Sequence, residues 1–396
     1  MSSKTSAPLA ALPTRMKAQF LDSFNSPYVY RSVELPTISQ PHDVLIKVDA
    51  ASYCHTDAVL AAGKMGPGNP PSFPHIGCHE FAGTIVALSP EYGTTSSPTL
   101  HIGDRIGIPG RSFHPCTTCF ECRTGPTPED PDADPAGYSV YCPHAINNGL
   151  SGPGGFREYA VVDGRQVAPI PSGMRAVDAA VHMCAGTTIY SALKRCRLQP
   201  GQRVGIMGCG GGLGHLGLQF AVSMGLCVLG VDNQDGPLQL ARDTVANSRG
   251  ENKDAARIID AREVSSDDIA QQLGKEDDKV DRGDMGLDAV IMLPESQAAF
   301  TYAIGLLRNH GRCVLVSFPE EDLRISAQDV VFRDISLIGS LVGGNRLLRE
   351  TLSFAAEHDI RASVRTFPLS QLNDLVDEYH KGAGGKLVVD MSLGET

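Results

Sequence analysis

The sequence predicts an α/β protein in which a mainly β first part is followed by a doubly wound parallel sheet. Up to about residue 170, short runs of Val, Ile and Ala alternate with turn residues, as in 44–52 and 81–88. After residue 184, a buried strand, a glycine-rich turn, a helix and a second buried strand follow in order. With further apolar strands at 287–293 and 312–318, this order is typical of a doubly wound sheet.

The glycine-rich turn indicates a dinucleotide site. It separates the strand 202–207 from the helix 215–225 and holds the residues Gly208, Gly210, Gly211, Gly212, Leu213 and Gly214. Glycine at such a turn lets the backbone approach a pyrophosphate at the helix N-terminus. The spacing carries one residue more than G-x-G-x-x-G, and the alternative is a flexible loop in a crowded turn.

Asp232 ends the next strand, 227–231, eighteen positions after Gly214. A carboxylate there accepts hydrogen bonds from the ribose hydroxyls of the adenosine and repels a 2′-phosphate. The sequence therefore favours NAD over NADP.

Two segments are expected to be insertions on this framework. Residues 123–141 hold four Pro and four acidic residues and predict a solvated loop. Residues 243–285 are rich in charge and predict surface helices with loops. The last strand is expected at 386–391.

Composition excludes several classes of protein. The chain has 396 residues, 42% of them hydrophobic, and a formal net charge of −11, which argues against nucleic acid or an anionic membrane as a partner. No apolar run reaches membrane-spanning length, and the first fifteen residues lack the apolar core of a secretory signal. The eleven cysteines are an odd number and are spread through apolar runs, which suits a reducing compartment, so we expect a cytosolic protein.

One cysteine cluster has the spacing of a closed zinc site. Cys116, Cys119 and Cys122 are separated by two residues each, and Cys142 follows after nineteen more. Four thiolates complete a tetrahedral zinc and leave no position for a substrate. The alternative is a set of neighbouring cysteines joined by disulfides.

A second set of soft ligands is scattered along the chain. Cys54, His79 and Cys184 together would make a three-ligand zinc site whose fourth position stays open for a reacting oxygen. Taken singly, each cysteine would more often be a small buried hydrophobe, and the histidine a hydrogen-bonded core residue. Five other cysteines show no ligand pattern and are expected to be core or loop thiols: Cys78, Cys196, Cys209, Cys227 and Cys313.

These features together resemble the zinc-dependent alcohol dehydrogenases of the medium-chain dehydrogenase/reductase superfamily, the yeast-type enzymes most of all. The similarity runs from about Lys17 to Asp390. Besides the glycine turn and the clustered cysteines, it rests on the runs Cys54–Asp57, Gly77–Glu80, Met183–Tyr190 and Gly339–Gly343. The resemblance implies a GroES-like catalytic domain, residues 1–184 and 336–396, with a structural zinc lobe at about 110–145. A Rossmann domain for NAD would occupy residues 185–335.

The resemblance also implies roles near the zinc ions. Cys54, His79 and Cys184 match the catalytic zinc ligands, and the four clustered cysteines match the structural zinc. Asp57 matches the carboxylate that orients the zinc-bound histidine, and Glu80 an acid beside the zinc. Thr56 matches the hydroxyl that receives the proton of the alcohol.

Cofactor contacts are implied in the same way. His55 and Lys386 take the places of basic contacts to the pyrophosphate. Thr188 and Leu213 take places beside the nicotinamide ring. Val316 and Phe318 are further expected cofactor contacts.

Four departures from the family pattern stand out. Val59 replaces the histidine that ends the yeast-type proton relay, so the proton is expected to leave by the ribose hydroxyl or by His55. The chain has no tryptophan, and the stretch 110–114 is more polar than the indole-lined pocket of ethanol-preferring enzymes. Pro237 replaces a lysine that contacts the cofactor, and the lobe spacing is about a dozen residues longer.

The predicted function is therefore alcohol oxidation or aldehyde reduction with NAD and two zinc ions per subunit, on alcohols larger or more polar than ethanol. A homo-oligomer, dimer or tetramer, is expected from the family. The main alternative is a reductase of an activated C=C bond on the same scaffold, and a second is a binding protein without activity.

Overall fold

The computed structural model describes residues 12–65, 71–93, 99–111, 114–128, 134–137, 139–247, 256–382 and 384–394. Within these ranges the strands form three sheets: a two-stranded ribbon, a six-stranded parallel sheet and a seven-stranded mixed sheet. The ribbon pairs β1 (Arg15–Leu21) with β2 (Tyr28–Glu34) in antiparallel register.

The parallel sheet has the strand order β10-β9-β8-β11-β12-β13. Its strands are β8 (Arg203–Met207), β9 (Cys227–Asp232), β10 (Ala256–Asp260), β11 (Leu287–Met292), β12 (Leu307–Leu315) and β13 (Ser336–Gly339). The helices between them are α5 (Gly214–Ser223), α6 (Asp235–Asn247), α7 (Ser266–Glu276), α8 (Gln297–Leu306) and α9 (Ala327–Arg333). The order reverses between β8 and β11, so a crevice opens at the carboxyl ends of these strands. The predicted doubly wound sheet is confirmed.

The mixed sheet has the order β14-β15-β3-β4-β5-β7, and β6 also pairs with β3. Its strands are β3 (Asp43–Tyr53), β4 (Glu80–Leu88), β5 (Arg105–Pro109), β6 (Tyr159–Asp163), β7 (Ala168–Pro169), β14 (Val364–Phe367) and β15 (Lys386–Asp390). The last strand lies beside β3, so the end of the chain completes the sheet that its first part begins. The predicted GroES-like domain is confirmed in its architecture.

The remaining helices connect strands of the mixed sheet or lead from one sheet to the other. They are α1 (His55–Ala61), α2 (Phe120–Arg123), α3 (Ala176–Val181), α4 (Thr187–Cys196), α10 (Asn345–Glu357) and α11 (Leu372–His380). A π-helical turn, His182–Gly186, links α3 to α4. Short 3-10 turns lie at Arg282–Asp284 and Leu369–Gln371. Helix α4 is buried along most of its length and packs in one hydrophobic core with β8 and α5, which anchors the junction between the sheets.

Three expectations about segments need correction. The parallel sheet continues to Gly339, because the short edge strand β13 lies beyond the predicted boundary at 335. Strand β10 lies in the segment for which we expected helices with loops. Its two isoleucines stand among charged neighbours, so no strand pattern is visible in the sequence. Asp134 of the predicted solvated loop is buried. The domain division itself stays a prediction.

No helix in the described ranges is long and apolar enough to cross a membrane.

Candidate active site

A cleft of about 700 Å³ opens at the carboxyl edge of the parallel sheet and faces the mixed sheet. One end is lined by the glycine-rich turn and by Asp232 at the end of β9. The other end is lined by Cys54, His79 and Cys184. The scattered ligand set and the predicted dinucleotide site therefore share one cavity.

The three ligand atoms at the far end lie within 4.8 Å of one another, a separation that could hold a metal ion. Cys54 immediately precedes α1, His79 immediately precedes β4, and Cys184 lies in the π-helical turn. Cys54 and His79 are buried, and Cys184 is partly buried. The Nε2 atom of His79 is buried without a hydrogen-bond partner among the described residues, which suits a metal ligand.

Asp57 fixes two of these ligands. Its carboxylate accepts hydrogen bonds from the Cys54 N–H at 2.9 Å and the Cys78 N–H at 3.1 Å. It also accepts one from His79 Nδ1 at 3.2 Å, which leaves Nε2 free to face the cluster. Because Asp57 is 1% exposed, one buried carboxylate joins α1 to the start of β4.

Glu80 connects the third ligand to the sheet. Its carboxylate accepts a hydrogen bond from Ser52 Oγ at 2.8 Å and one from the Ala185 N–H at 3.3 Å, next to Cys184. The ammonium of Lys386 pairs with the same carboxylate and also donates to the Tyr53 carbonyl at 2.8 Å. Glu80 and Lys386 are both buried, and Lys386 also lines the cleft, so this ion pair lies inside the protein at the wall of the cavity.

Burial and charge shift the ionisation of this cluster. The hydrogen bond from Cys184, aided by the nearby Lys386 charge, holds the pKa of the Cys54 thiol well below its usual range. Burial lowers the pKa of His79, but the Asp57 carboxylate more than offsets this and raises it well above its ordinary value. Burial raises the pKa of Glu80 to about 7, against the opposing charge of Lys386.

The four clustered cysteines form a second candidate metal site. The sulfur atoms of Cys116, Cys119, Cys122 and Cys142 lie within 4.8 Å of one another. Backbone N–H groups point at the sulfurs, with Cys119 N at 3.3 Å from Cys116 Sγ and Cys122 N at 3.4 Å from Cys119 Sγ. Four sulfurs on a short loop and the single turn of α2 match a closed tetrahedral site.

The chain matches two family models, one over its first part and one over the part that holds the parallel sheet. One is described as "Alcohol dehydrogenase GroES-like domain" and covers residues 40–172. The other is described as "Zinc-binding dehydrogenase" and covers residues 212–357. An alcohol dehydrogenase from Geobacillus stearothermophilus is 35% identical over 379 residues, 94% of this chain and 99% of that enzyme. This chain belongs to the zinc-type alcohol dehydrogenases of the medium-chain dehydrogenase/reductase superfamily.

Other relatives agree with that membership. Alcohol dehydrogenase 1 from Neurospora crassa is 30% identical over 387 residues, 97% of this chain and 99% of that one. The crystal structure of the alcohol dehydrogenase from Aeropyrum pernix superposes with a TM-score of 0.75 at 28% identity, covering 94% and 99% of the two chains. An alcohol dehydrogenase from Thermotoga maritima shares the fold with a TM-score of 0.78 at 20% identity, covering 95% and 99%.

The glycines of the turn are of two kinds: some are packed against backbone, and others line the cleft. A side chain at Gly210 would meet the Pro237 carbonyl at 1.9 Å, and one at Gly214 the Gly208 carbonyl at 2.1 Å, so both are required by backbone packing. At Gly211 and Gly212 the nearest atoms are 3.3 and 3.2 Å away. These two glycines line the cleft, whereas Gly210 lies behind it and donates its N–H to Asp232 at 3.1 Å.

The other predicted cofactor residues mostly line the same cavity. They are His55, Thr188, Gly208, Leu213, Gly214, Val316, Phe318 and Lys386. The hydroxyl of Thr188 is buried without a partner among the described residues, as is that of Ser340 across the cleft. The Lys386 ammonium donates hydrogen bonds to the Glu80 carboxylate and the Tyr53 carbonyl, so its contact with the pyrophosphate stays a prediction.

His55 makes contacts that the sequence did not suggest. Its Nδ1 atom lies 2.7 Å from the Tyr379 hydroxyl, and its Nε2 atom lies 3.4 Å from Glu295 at the end of β11. Thr56, the next residue, lines the cleft with its hydroxyl 3.9 Å from the Cys54 sulfur. Val59 lies one turn further along α1 and is absent from the lining residues.

Sequence reasoning missed the apolar lining near the metal end. Met65, Leu150 and Met183 contribute to it, as does the ring of Tyr53. Each comes from a separate element, and none carries a motif of its own. Met183 is the exception that could have been found, because it precedes the ligand Cys184.

Proposed function

We propose that this alcohol dehydrogenase oxidises alcohols, and reduces the matching aldehydes, with NAD and a zinc ion held by Cys54, His79 and Cys184. A second zinc would occupy the four-cysteine lobe. The observation that carries the proposal is the shared cleft, since the three-ligand cluster faces the same cavity as the glycine turn.

The donor set fits a catalytic zinc. Two sulfurs and one imidazole nitrogen lie close together, and the His79 Nε2 atom has no other described partner. Zinc bound there would supply a Lewis acid that lowers the pKa of an alcohol hydroxyl. Asp57 and Glu80 would hold the ligand segments at fixed spacing while substrates come and go.

Several features of the cleft support NAD. Both oxygens of Asp232 accept backbone hydrogen bonds, from Gly210 at 3.1 Å and from Asn233 at 2.9 Å, which holds the carboxylate toward a ribose. The segment 232–237 holds no basic residue. Arg262 pairs with Asp235, and Asp232, which lines the cleft, is the carboxylate that would repel a 2′-phosphate. NAD would supply the hydride acceptor, and Thr188 and Leu213 would pack beside its nicotinamide.

The proton route depends on residues of α1. The Thr56 hydroxyl lies at the metal end of the cleft and would accept the proton of the alcohol at its Oγ1 atom. Val59 cannot pass that proton on. We propose that it leaves by the ribose hydroxyl to water, or by His55, whose side chain is 53% exposed.

The substrate is proposed to be larger or more polar than ethanol. At the metal end, the cleft is lined by the apolar side chains of Met65, Leu150 and Met183 as well as by the ligands. The chain has no tryptophan that could narrow it. Ethanol would fill little of this surface, so little binding energy would be available to it.

A spectrophotometric screen tests the proposal directly. Alcohols and aldehydes of rising size are assayed with NAD(H) and with NADP(H), and zinc is counted per chain by atomic absorption. We expect alcohol oxidation with NAD, a higher kcat/KM for larger alcohols than for ethanol, and two zinc ions per chain. Activity on enals but not on alcohols would instead favour the C=C reductase.

We further propose that the enzyme is a homo-oligomer. Strand β13 is an outer strand of the parallel sheet, and Phe332 and Val331 on the neighbouring α9 are 79% and 70% exposed. An edge strand with apolar neighbours is suited to burial against a second copy. Light scattering after size exclusion would show a mass above that of one chain, and a monomer at working concentration would refute the proposal.

A further inference from the structure

A positively charged side chain lies at the metal end of the cleft. Arg111 follows β5 and lines the same cavity as Cys54, His79 and Cys184. The backbone just before it is pressed onto a ligand, since a side chain at Gly110 would come within 2.4 Å of the His79 Cβ. The backbone that carries Arg111 is therefore held beside the site where the substrate would react.

Arg111 differs from the other basic residues of the cleft in having no counter-charge. Three Lys or Arg residues line the cavity. Lys386 pairs with Glu80, and Arg365 pairs with Glu378. Arg111 makes no hydrogen bond or ion pair with any residue in the described ranges.

The nearby negative groups are already engaged. Asp57 accepts hydrogen bonds from His79 and from two backbone N–H groups, and Glu80 pairs with Lys386. The thiolates of Cys54 and Cys184 would be neutralised by the proposed zinc. The phosphates of the cofactor belong at the glycine turn, the other end of the cleft.

Arg111 is also partly removed from water. Burial lowers its pKa from the ordinary value, while the Cys184 thiolate and the Tyr141 phenol act in the opposite direction. A guanidinium keeps its charge in proteins, so the cleft holds a partly desolvated cation. Such a cation is costly unless an anion comes to it.

We propose that Arg111 binds a carboxylate of the substrate, so that the preferred substrates are alcohols and aldehydes carrying a carboxylate away from the reacting carbon. A planar guanidinium donates two parallel hydrogen bonds to a carboxylate, which fixes orientation as well as position. The carboxylate takes no part in the chemistry. The reacting carbon still loses a hydride to the nicotinamide, and its hydroxyl loses a proton. The proposal rests on the proposed function for that reaction.

The test compares three substrate series of matched chain length with NAD. They are straight-chain ω-hydroxycarboxylates, the corresponding ω-hydroxyamides and n-alkanols. For the wild-type enzyme we expect kcat/KM for the best carboxylate to exceed that of its amide by about 10- to 100-fold, the value of a charge-assisted bidentate contact. ω-Hydroxyalkyl phosphates form a fourth series that shows whether the anion must be a carboxylate.

Variants at Arg111 locate the preference. Arg111→Met should bring the ratio of kcat/KM for carboxylates to kcat/KM for amides to about one. Arg111→Lys should keep part of the preference, because lysine retains the charge but lacks the planar pair of N–H donors. Arg257→Met is the matched control. Arg257 lies on β10, outside the cleft, and pairs with Glu276 of α7. The same change of net charge there should leave the carboxylate-to-amide ratio as in the wild type.

Each outcome separates this proposal from the proposed function. Turnover of alkanols and amides with no preference for carboxylates would refute the role of Arg111 and leave the dehydrogenase reaction standing. Preference for phosphates over carboxylates would refute the carboxylate assignment. If none of the series turns over, the melting temperature with and without ω-hydroxycarboxylates still tests whether Arg111 binds them. The compounds should raise the melting temperature of the wild type and not that of Arg111→Met. Equal stabilisation of both proteins would overturn the proposal.

Discussion

The two cysteine clusters differ in how the chain brings their ligands together. Cys54, His79 and Cys184 come from three elements that are far apart in the sequence, and two buried carboxylates tie these elements together. The four lobe cysteines lie within 116–142 and are held by backbone N–H groups pointing at sulfur. Two of the lobe cysteines are only partly buried.

This difference indicates which cluster depends on the whole fold. A local cluster can close around a metal with its own loop, and its fourth ligand excludes a substrate. The three-ligand cluster forms only when the ends of β3 and β4 pack against the π-helical turn, and the cleft supplies its open side. The predictions below test this contrast, from the largest expected loss of activity to the smallest.

Removing a ligand from the open cluster should abolish catalysis. In Cys184→Ala we expect kcat/KM for the best alcohol to fall at least about 1,000-fold, since about 4 kcal/mol of charge stabilisation is lost. Zinc content should fall by one ion per chain while the circular dichroism spectrum is retained. Cys196→Ala is the control, a buried cysteine of α4 without a ligand role. A Cys184→Ala enzyme that keeps its full activity would contradict the catalytic assignment.

Breaking the buried ion pair behind the open cluster should have the next largest effect. Glu80→Gln leaves the Lys386 ammonium buried without its charged partner, which costs about 3–5 kcal/mol of unfolding free energy. We expect kcat/KM to fall about 10- to 100-fold, because the segment of Cys184 loses its anchor.

Urea unfolding and steady-state kinetics measure both effects. Adding Lys386→Met to Glu80→Gln should recover part of the stability, since no unpaired charge then remains. Ser52→Ala removes one hydroxyl hydrogen bond to the same carboxylate and should cost about 1.5–3 kcal/mol, less than the loss of the charged partner. A Glu80→Gln enzyme as stable as Ser52→Ala would show that the ion pair does not support the cluster.

Removing a ligand from the lobe should change the sensitivity to trypsin more than it changes kcat/KM. In Cys122→Ala we expect one zinc per chain to be lost and trypsin to cut after Arg123, the residue next to the lost ligand, with kcat/KM reduced less than about tenfold. Limited proteolysis with mass spectrometry locates the cut. A loss of activity as large as that of Cys184→Ala would mean that the two clusters are not independent.

Asp134, in the segment 123–141, should make the free energy of unfolding depend on pH, with little effect on activity. Asp134 accepts a hydrogen bond from the Asn345 N–H at the start of α10, and burial raises its pKa to about 6 from an ordinary 3.8. The folded protein therefore holds this proton more tightly than the unfolded chain. Its contribution to stability is greatest below about pH 4 and is lost as the pH rises through about 6.

The expected loss is on the order of 3 kcal/mol, about two pKa units. It is measured as the difference in unfolding free energy between the wild type and Asp134→Asn, which cannot titrate. A difference that stays constant from pH 4 to pH 7 would contradict the docking of Asp134 on α10.

Much of the fold could be predicted because the signals are local. Alternating apolar residues indicate β3 and β4, and the strand-glycine-helix-strand order indicates β8, α5 and β9. Strand β10 could not be predicted, because an edge strand needs little apolar sequence and its neighbours are charged. Its place is set by pairing with β9 rather than by its own composition.

The residues of the site could likewise be predicted only where the sequence carries a local pattern. Spaced cysteines and glycines are visible in the sequence, and the structure brings each group together. The pairing of Glu80 with Lys386 joins residues 306 positions apart and arises only when β15 completes the mixed sheet beside β3. The contact of Asp134 with α10 likewise spans 211 positions. Such long-range polar contacts carry no local pattern.

The central claim is that one zinc site is catalytic and the other structural. It is tested most directly by removing zinc stepwise with 1,10-phenanthroline while measuring activity, zinc per chain and the circular dichroism spectrum on the same samples. We predict that activity reaches zero when one zinc per chain has left, with the spectrum unchanged and the second zinc still bound. Activity that persists in zinc-free protein, or falls only with the second ion, would contradict the account.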